Sequence, residues 1–418
     1  MRRAGLALVV AAIVCAAGLQ AQAPPQKPGL TPRPVSPSEL RVRVERIGAM
    51  PTHGNPTSPA VAGARLLLID QSGYLYRWDG TAATLLLSSK TLPKDVRPLG
   101  SEWLLNAAAD RAGTKVYVVV VSASVPRGVP KRESPRDPDG WYLLVEYQFD
   151  GETLSSPRPV IALGLRSEGH TGGGLVVADD GAVLLAVGDN GDSYEDGREH
   201  GQSPQTHLAK IVRIAPADGT VSVVGMGVRC VQRLALSGEG TDRWLAFADP
   251  GGWIAEEVNA VPLATLDATS PPNFGWGRHP GDDASREGSF LVDRLGNSRA
   301  TAPIDEPGFV QPVAEFGRLV HEPIAVSGPV SSPQSFARIT LLFGDLVGGR
   351  LLATTGPLST RHQEVFEVGV VDQAGQPTTL KALGGGGRAD ARFFTFPDGT
   401  AGVLFERTGE FHRVTELR

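Results

Sequence analysis

Short apolar runs in period-two alternation, cut by tight turns, recur from Arg41 to the C-terminus. No stretch holds a 3.6-residue apolar period over three turns. The segment ARLLLIDQSGYLYRWDG (64–80) gives two arms about a Gln-Ser-Gly turn. TKVYVVVVSA (114–123), WYLLVEYQF (141–149) and LVVADDGAVLLAV (175–187) follow, with further runs at 210–214, 221–224, 243–247, 339–343, 393–396 and 402–406. Asp-Gly pairs at Asp150-Gly151, Asp180-Gly181, Asp218-Gly219 and Asp398-Gly399 supply residues that tolerate positive φ, as hairpin turns demand. The 51 glycines and 33 prolines among 418 residues suit many turns of this kind. The chain is therefore read as all-β. A sandwich accounts for only ~100 residues. Radial repetition of four-stranded sheets, a β-propeller, absorbs the remaining length in one domain and protects its strand edges. At ~40–60 residues per blade, six to eight blades fit residues 41–418.

The start of the chain carries an address. Arg2-Arg3 precede an uncharged, mostly apolar run from Ala4 to Leu19, and Ala21-Gln22-Ala23 offers small residues for cleavage after Ala21 or Ala23. Residues 1–23 are read as a signal peptide and 24–40, rich in proline, as an extended linker. The apolar run falls short of the ~20 residues that span a bilayer, so no membrane span is expected after cleavage. An exported protein, periplasmic or secreted, is expected. The formal net charge of −5, without a long basic run, speaks against nucleic acid as a partner. Cleavage removes Cys15 and leaves Cys230 without an internal disulfide partner.

The stretch 168–214, EGHTGGGLVVADDGAVLLAVGDNGDSYEDGREHGQSPQTHLAKIVRI, orders a histidine, a Gly-Gly pair and a strand before an Asp-Gly turn. A second strand ending in Gly-Asp, an acidic loop and a Lys-Ile-x-Arg-Ile strand complete it. Upstream stand IDQSGYLYRWDG and Ser101-Glu102-Trp103-Leu104-Leu105. Downstream come GVRCVQRLAL from Gly227, DPGGWIAEEVNAV from Asp249, NFGWG from Asn273, Phe343-Gly344-Asp345 with Gly349-Arg350, and Phe396-Pro397-Asp398-Gly399. In this order the motifs resemble the glucose/sorbosone dehydrogenase family, soluble quinoprotein sugar dehydrogenases built on a six-bladed propeller. The resemblance covers roughly residues 60–410.

The resemblance implies an enzyme in which pyrroloquinoline quinone (PQQ) takes a hydride from the anomeric carbon of an aldose, giving a lactone. Electrons then pass to an external acceptor. His170 matches the family's catalytic base and Asp189 the acid that orients it; Arg229 matches an arginine beside the quinone oxygens. Arg388 and Arg392 lie near the family's arginine pair, and such cations would hold the carboxylates of PQQ. Gly251 and Gly252 match two carbonyl donors that bridge calcium to the cofactor, and Glu256 matches a nearby acid. The acidic loop Asp189-Asn190-Gly191-Asp192, with Glu195 and Asp196, reads as solvated.

The chain also departs from the pattern. Cys230, Val231 and Arg233 replace the family's Asn, Pro and Gly; Leu346-Val347 stand where a lysine belongs; Ser101-Glu102-Trp103 fill the family's Gln-x-Gly slot. A carboxylate at 102 facing the quinone would repel it. These departures keep two other readings open: a non-catalytic propeller that binds carbohydrate or protein, and a calcium-dependent lactonase-type hydrolase.

Overall fold

The second strands of the blades are apolar on both faces, and the fold uses both. In the computed structural model, which describes residues 34–417 except 52, 134–137, 168, 192–199, 253, 278–284, 288–289, 293–297, 302–307 and 318–325, six antiparallel sheets form the blades of a propeller. Leu67 and Ile69 pack toward the second blade, whereas Leu66 and Leu68 pack toward the sixth. Val183 and Leu185 face the second blade while Leu184 and Ala186 face the fourth. Leu245 and Phe247 alternate with Ala246 and Ala248, and Phe393 with Phe394, in the same way. Successive residues of a strand point to opposite faces, so a sheet sandwiched between two others needs apolar residues at every position. The core is thus a ring of inter-blade layers, in which each buried Leu or Phe contributes roughly 1.5–3 kcal/mol.

The first blade comprises Pro56–Ala62, Arg65–Asp70, Tyr74–Trp78 and Ala83–Leu87, ordered from axis to rim. The second runs through Leu104–Ala109, Lys115–Ser122, Gly140–Phe149 and Leu154–Leu165, with Lys131–Arg132 added outside. Gly172–Val177, Val183–Val187, Lys210–Ala215 and Thr220–Met226 form the third. The fourth contains Leu234–Ser237, Trp244–Asp249, Ala255–Pro262 and Ala314–Gly317. Between its last two strands lies a three-stranded sheet, Ser285–Glu287, Phe290–Val292 and Ser298–Thr301. The fifth is Val326–Val330, Leu341–Asp345, Leu351–Thr354 and Val365–Glu367. The four expected Asp-Gly pairs each fall in a hairpin between adjacent strands of a blade.

The sixth blade closes the ring. Its inner strands Ala391–Thr395, Ala401–Phe405 and Glu410–Glu416 come from the C-terminus, and Arg41–Ala49 from the N-terminus pairs antiparallel with Glu410–Glu416. Of the segment expected to be linker, Val35–Ser36 pairs in parallel with Val365–Phe366, and Leu40 is buried. The expected signal peptide lies outside the described residues. One four-residue helix, Leu380–Leu383, is capped by Thr379, whose Oγ1 accepts from Ala382 N. No described helix is long and apolar enough to cross a membrane.

Candidate active site

Strand alternation places the sequence-predicted residues on one rim. In an antiparallel blade, the entrance to the first strand and the exit of the second lie at the same end. His170 and Arg229 precede first strands, Asp189 and Gly251 follow second strands, and Arg388 and Arg392 flank the start of the sixth blade's first strand. Glu256 opens the third strand of the fourth blade, at that same end.

His170 adopts φ +44°, in the left-handed region. Two glycines make that turn possible. Gly172 has φ +70°, and a Cβ on Gly188 would sit 1.7 Å from the His170 carbonyl oxygen. Gly188 N donates to Thr171 O at 3.0 Å, and the Tyr142 hydroxyl donates to the same oxygen at 3.0 Å. Asn190 Nδ2 in turn donates to the Tyr142 oxygen at 2.5 Å. Burial pushes the Tyr142 phenol far above its ordinary value, so it stays a neutral strut.

Asp189, 1 % exposed as a side chain, organises the centre. Its Oδ1 lies 3.1 Å from His170 Nδ1 and accepts from Gly191 N at 3.1 Å, while Oδ2 accepts from Trp276 Nε1 at 3.0 Å. An acceptor-only carboxylate places the imidazole proton on Nδ1 and leaves the lone pair on Nε2. Arg229 Nη2 donates to that Nε2 at 3.3 Å. Arg229 Nη1 donates to the carbonyls of Pro250 at 3.2 Å and Gly251 at 3.1 Å, and the guanidinium lies 5.3 Å from the Trp276 ring centroid. One guanidinium therefore ties the histidine to the Pro250-Gly251 turn.

Asp249 fixes the backbone beneath it. Its two oxygens accept from Arg229 N at 2.7 Å and Cys230 N at 2.9 Å. Burial raises this carboxyl to about 6, against those two donors, which favour its charged form. The Cys230 thiol is buried and pushed up to about 12, which withholds it from nucleophilic chemistry.

The other expected residues lie outside this contact chain. Arg392 is tied to Gln232 Oε1 at 2.8 Å and Glu406 Oε2 at 2.6 Å; Arg388, its side chain 58 % exposed, meets Asp390. Glu256 is fully buried and accepts from Val326 N at 3.0 Å, a contact that joins the fourth blade to the fifth. Gly252 lies beside Gly251 in the turn. Leu346, at the position of the missing lysine, is buried and contributes no cation. Glu102 is exposed to solvent, and Trp103 beside it is buried over Gly73. Of the acidic loop, Asp192, Glu195 and Asp196 lie outside the described residues. Among the described residues, no three His, Cys, Asp or Glu side chains gather as metal ligands.

The Trp276 and Lys210 roles were missed at the sequence level, although both belong to quoted motifs. Lys210 is completely buried, its Nζ donating to the carbonyls of His200, Gly201 and Leu208 at 2.6, 2.9 and 3.0 Å. Burial pulls its ammonium down to about 7. Gly201 packs on the backbone of Trp276, where a Cβ would meet the Trp276 oxygen at 2.0 Å. Lys210 thus supports the tryptophan that supports Asp189.

For PQQ and calcium, the donor chemistry at the cluster fits. The Arg229 guanidinium suits an anionic quinone, the carbonyls of Pro250 and Gly251 are hard oxygen donors, and Arg229 Nε is buried without a hydrogen-bond partner among the described residues.

No family model and no curated protein matches the chain. Solved structures do. A PQQ-bound aldose sugar dehydrogenase from Streptomyces coelicolor aligns with TM-score 0.61 at 19 % identity, covering 91 % of this chain and 99 % of that one. A Thermus thermophilus putative oxidoreductase (glucose dehydrogenase) gives 0.58 at 16 % identity, covering 90 % and 100 %. The calcium structure of a Trichoderma reesei carbohydrate-active enzyme of family AA12 gives 0.58 at 13 % identity, covering 94 % and 99 %. The chain thus shares the six-bladed propeller of the sugar dehydrogenases that its motifs resemble.

Proposed function

We propose that this protein is an exported oxidoreductase that oxidises the anomeric carbon of an aldose to a lactone and passes electrons to an external acceptor. The observation that carries this reading is the contact chain Asp189–His170–Arg229–Gly251 on one rim of the propeller. Bound PQQ would supply the two-electron acceptor chemistry. Arg229 would hold it, with Arg392 and Arg388 as further cations, and the Gly251 and Gly252 carbonyls would face calcium, with Glu256 nearby. His170, oriented by Asp189, takes the proton of the sugar hydroxyl at Nε2. Arg229, displaced from that nitrogen by the hydroxyl, keeps its positive charge beside the oxygen that loses the proton. Trp276 and Asp249 hold the pair in register.

A carbohydrate-binding propeller without redox activity is the second reading. It is favoured by Arg392, which already spends its charge on Glu406 and lacks a lysine neighbour at 346. Purified protein incubated with calcium and PQQ, scanned for cofactor absorbance and assayed with aldoses and an artificial dye, separates the two. Quinone uptake with dye reduction, abolished in His170→Ala, supports the oxidoreductase. Sugar binding without quinone uptake selects the binding module.

A further inference from the structure

Residues of all six innermost strands or their exits enclose a second feature, a cavity of about 290 Å³ on the axis. Its walls run along the first strands, from Arg233 at the entrance of the fourth blade's to Asp110 and Asp179 just past the exits of the second's and third's. Ser58, Asn106, Arg233, Arg243 and Thr395 contribute polar side chains to it.

Three arginines, Arg111, Arg233 and Arg243, and two aspartates, Asp110 and Asp179, line this wall. Arg243 pairs with Asp179 at 2.8 Å, and Arg111 reaches the same carboxylate at 3.5 Å. Asp110 accepts from the backbone N–H groups of Thr114 and Lys115 and from the Thr114 hydroxyl. Arg233 has no carboxylate partner among the described residues; its single hydrogen bond runs from Nε to Pro329 O at 3.2 Å. Its side chain also lines a smaller recess with Gln232, Thr57 and Arg392, so it lies between that recess and the axial cavity. Burial pulls its guanidinium down to about 10. The side chain is half-buried beside the cavity, and a guanidinium end is shaped for two oxygens of one anion.

We propose that the axial cavity is a binding site for a small oxyanion, of the phosphate or carboxylate class, held by Arg233. The volume admits a handful of non-hydrogen atoms beside water, each water taking ~30 Å³. Asn106 Nδ2 is committed to Gly173 O and Gln232 O, so Arg233 carries the recognition. The inference is independent of the sugar-oxidation reading, since it invokes neither quinone nor His170.

Thermal unfolding and isothermal titration of the full chain with inorganic phosphate and with acetate, at constant ionic strength and without PQQ, test it. Wild-type protein is expected to gain several degrees in Tm with at least one anion, and the preferred anion distinguishes phosphate from carboxylate. Arg233→Met, which removes the charge and keeps the volume, should lose that gain. Arg233→Lys, which keeps a cation without the fork, should bind at least tenfold more weakly. No gain in wild type, an equal gain in Arg233→Met, or unchanged affinity in Arg233→Lys overturns the proposal. If Arg233→Met does not fold, the lysine variant decides alone.

Discussion

Arg229 Nη2 donates to His170 Nε2 at 3.3 Å, so the nitrogen that would accept a proton is already held by a cation. The same guanidinium grips the carbonyls of Pro250 and Gly251, two blade loops meeting at one side chain. Arg229→Lys keeps the charge but cannot span both directions with a planar fork. Quinone affinity is expected to fall at least tenfold in this variant, read by cofactor titration. Affinity equal to wild type would remove Arg229 from the holding set.

Asp189→Asn tests the orientation of the ring. The amide can donate to Nδ1, which moves the proton to Nε2 and removes the base. Nitrogen NMR of the ring should report protonated Nδ1 in the wild type and protonated Nε2 in the variant. Turnover should fall by ~10²–10⁴. A wild-type spectrum with the proton on Nε2 contradicts the assignment without any assay of activity.

Trp276→Phe keeps the ring over Arg229 and removes the donor to Asp189. A hydrogen bond to a charged group contributes ~1.5–3 kcal/mol, so urea unfolding should show a loss of that size at unchanged m-value. The kcat should fall more than KM rises, because the change acts through Asp189 on the base.

Gly188→Ala asks whether the turn at His170 has room to yield. Its Cβ would meet the His170 oxygen at 1.7 Å, and backbone must move to relieve it. A destabilisation above ~3 kcal/mol is expected. Gly181→Ala is the control: Gly181 also has positive φ, +82°, but nothing lies within 4 Å of its Cβ. It should cost only ~1–2 kcal/mol.

Two buried histidines should cost the fold stability in acid. His207 and His412 are buried, and desolvation lowers each to about 4 from 6.5. Between pH 6.5 and 4 these two sites take up protons in the unfolded chain and refuse them in the folded one, so their contribution falls as pH drops through that window, opposed in part by Asp249, which burial raises to about 6. Each histidine is worth ~3 kcal/mol across it. His207→Gln should flatten the slope of denaturation midpoint against pH between those limits, while a slope equal to wild type would place the loss elsewhere.

Much of this fold was legible because propeller strands bury both faces. Runs such as Val116–Val121 and Val183–Val187 announce themselves by composition, and the Asp-Gly turns mark their hairpins. Harder to read were Pro56–Ala62 and Leu154–Leu165, each containing two prolines. Both lie at sheet margins, one beside the axis and bulged, the other near the rim, where missing amide donors are tolerated. Among site residues, His170, Asp189, Arg229 and Gly251 were readable as a motif series and lie in one contact chain. Trp276 was hidden because its indole N–H crosses from the fourth blade's long connection to a loop of the third, a pairing that no local pattern encodes. Lys210 was hidden for the opposite reason: a lysine in a strand reads as a solvated charge, whereas this one is buried on three carbonyls.

The pairing of Arg41–Ala49 with Glu410–Glu416 has a consequence for biosynthesis. A nascent chain lacks the partner of its own first long strand until Glu410–Glu416 has been made, so the circle stays unlatched while the five intervening blades are synthesised. Until then it is an open, threadable polypeptide for whatever machinery handles it first.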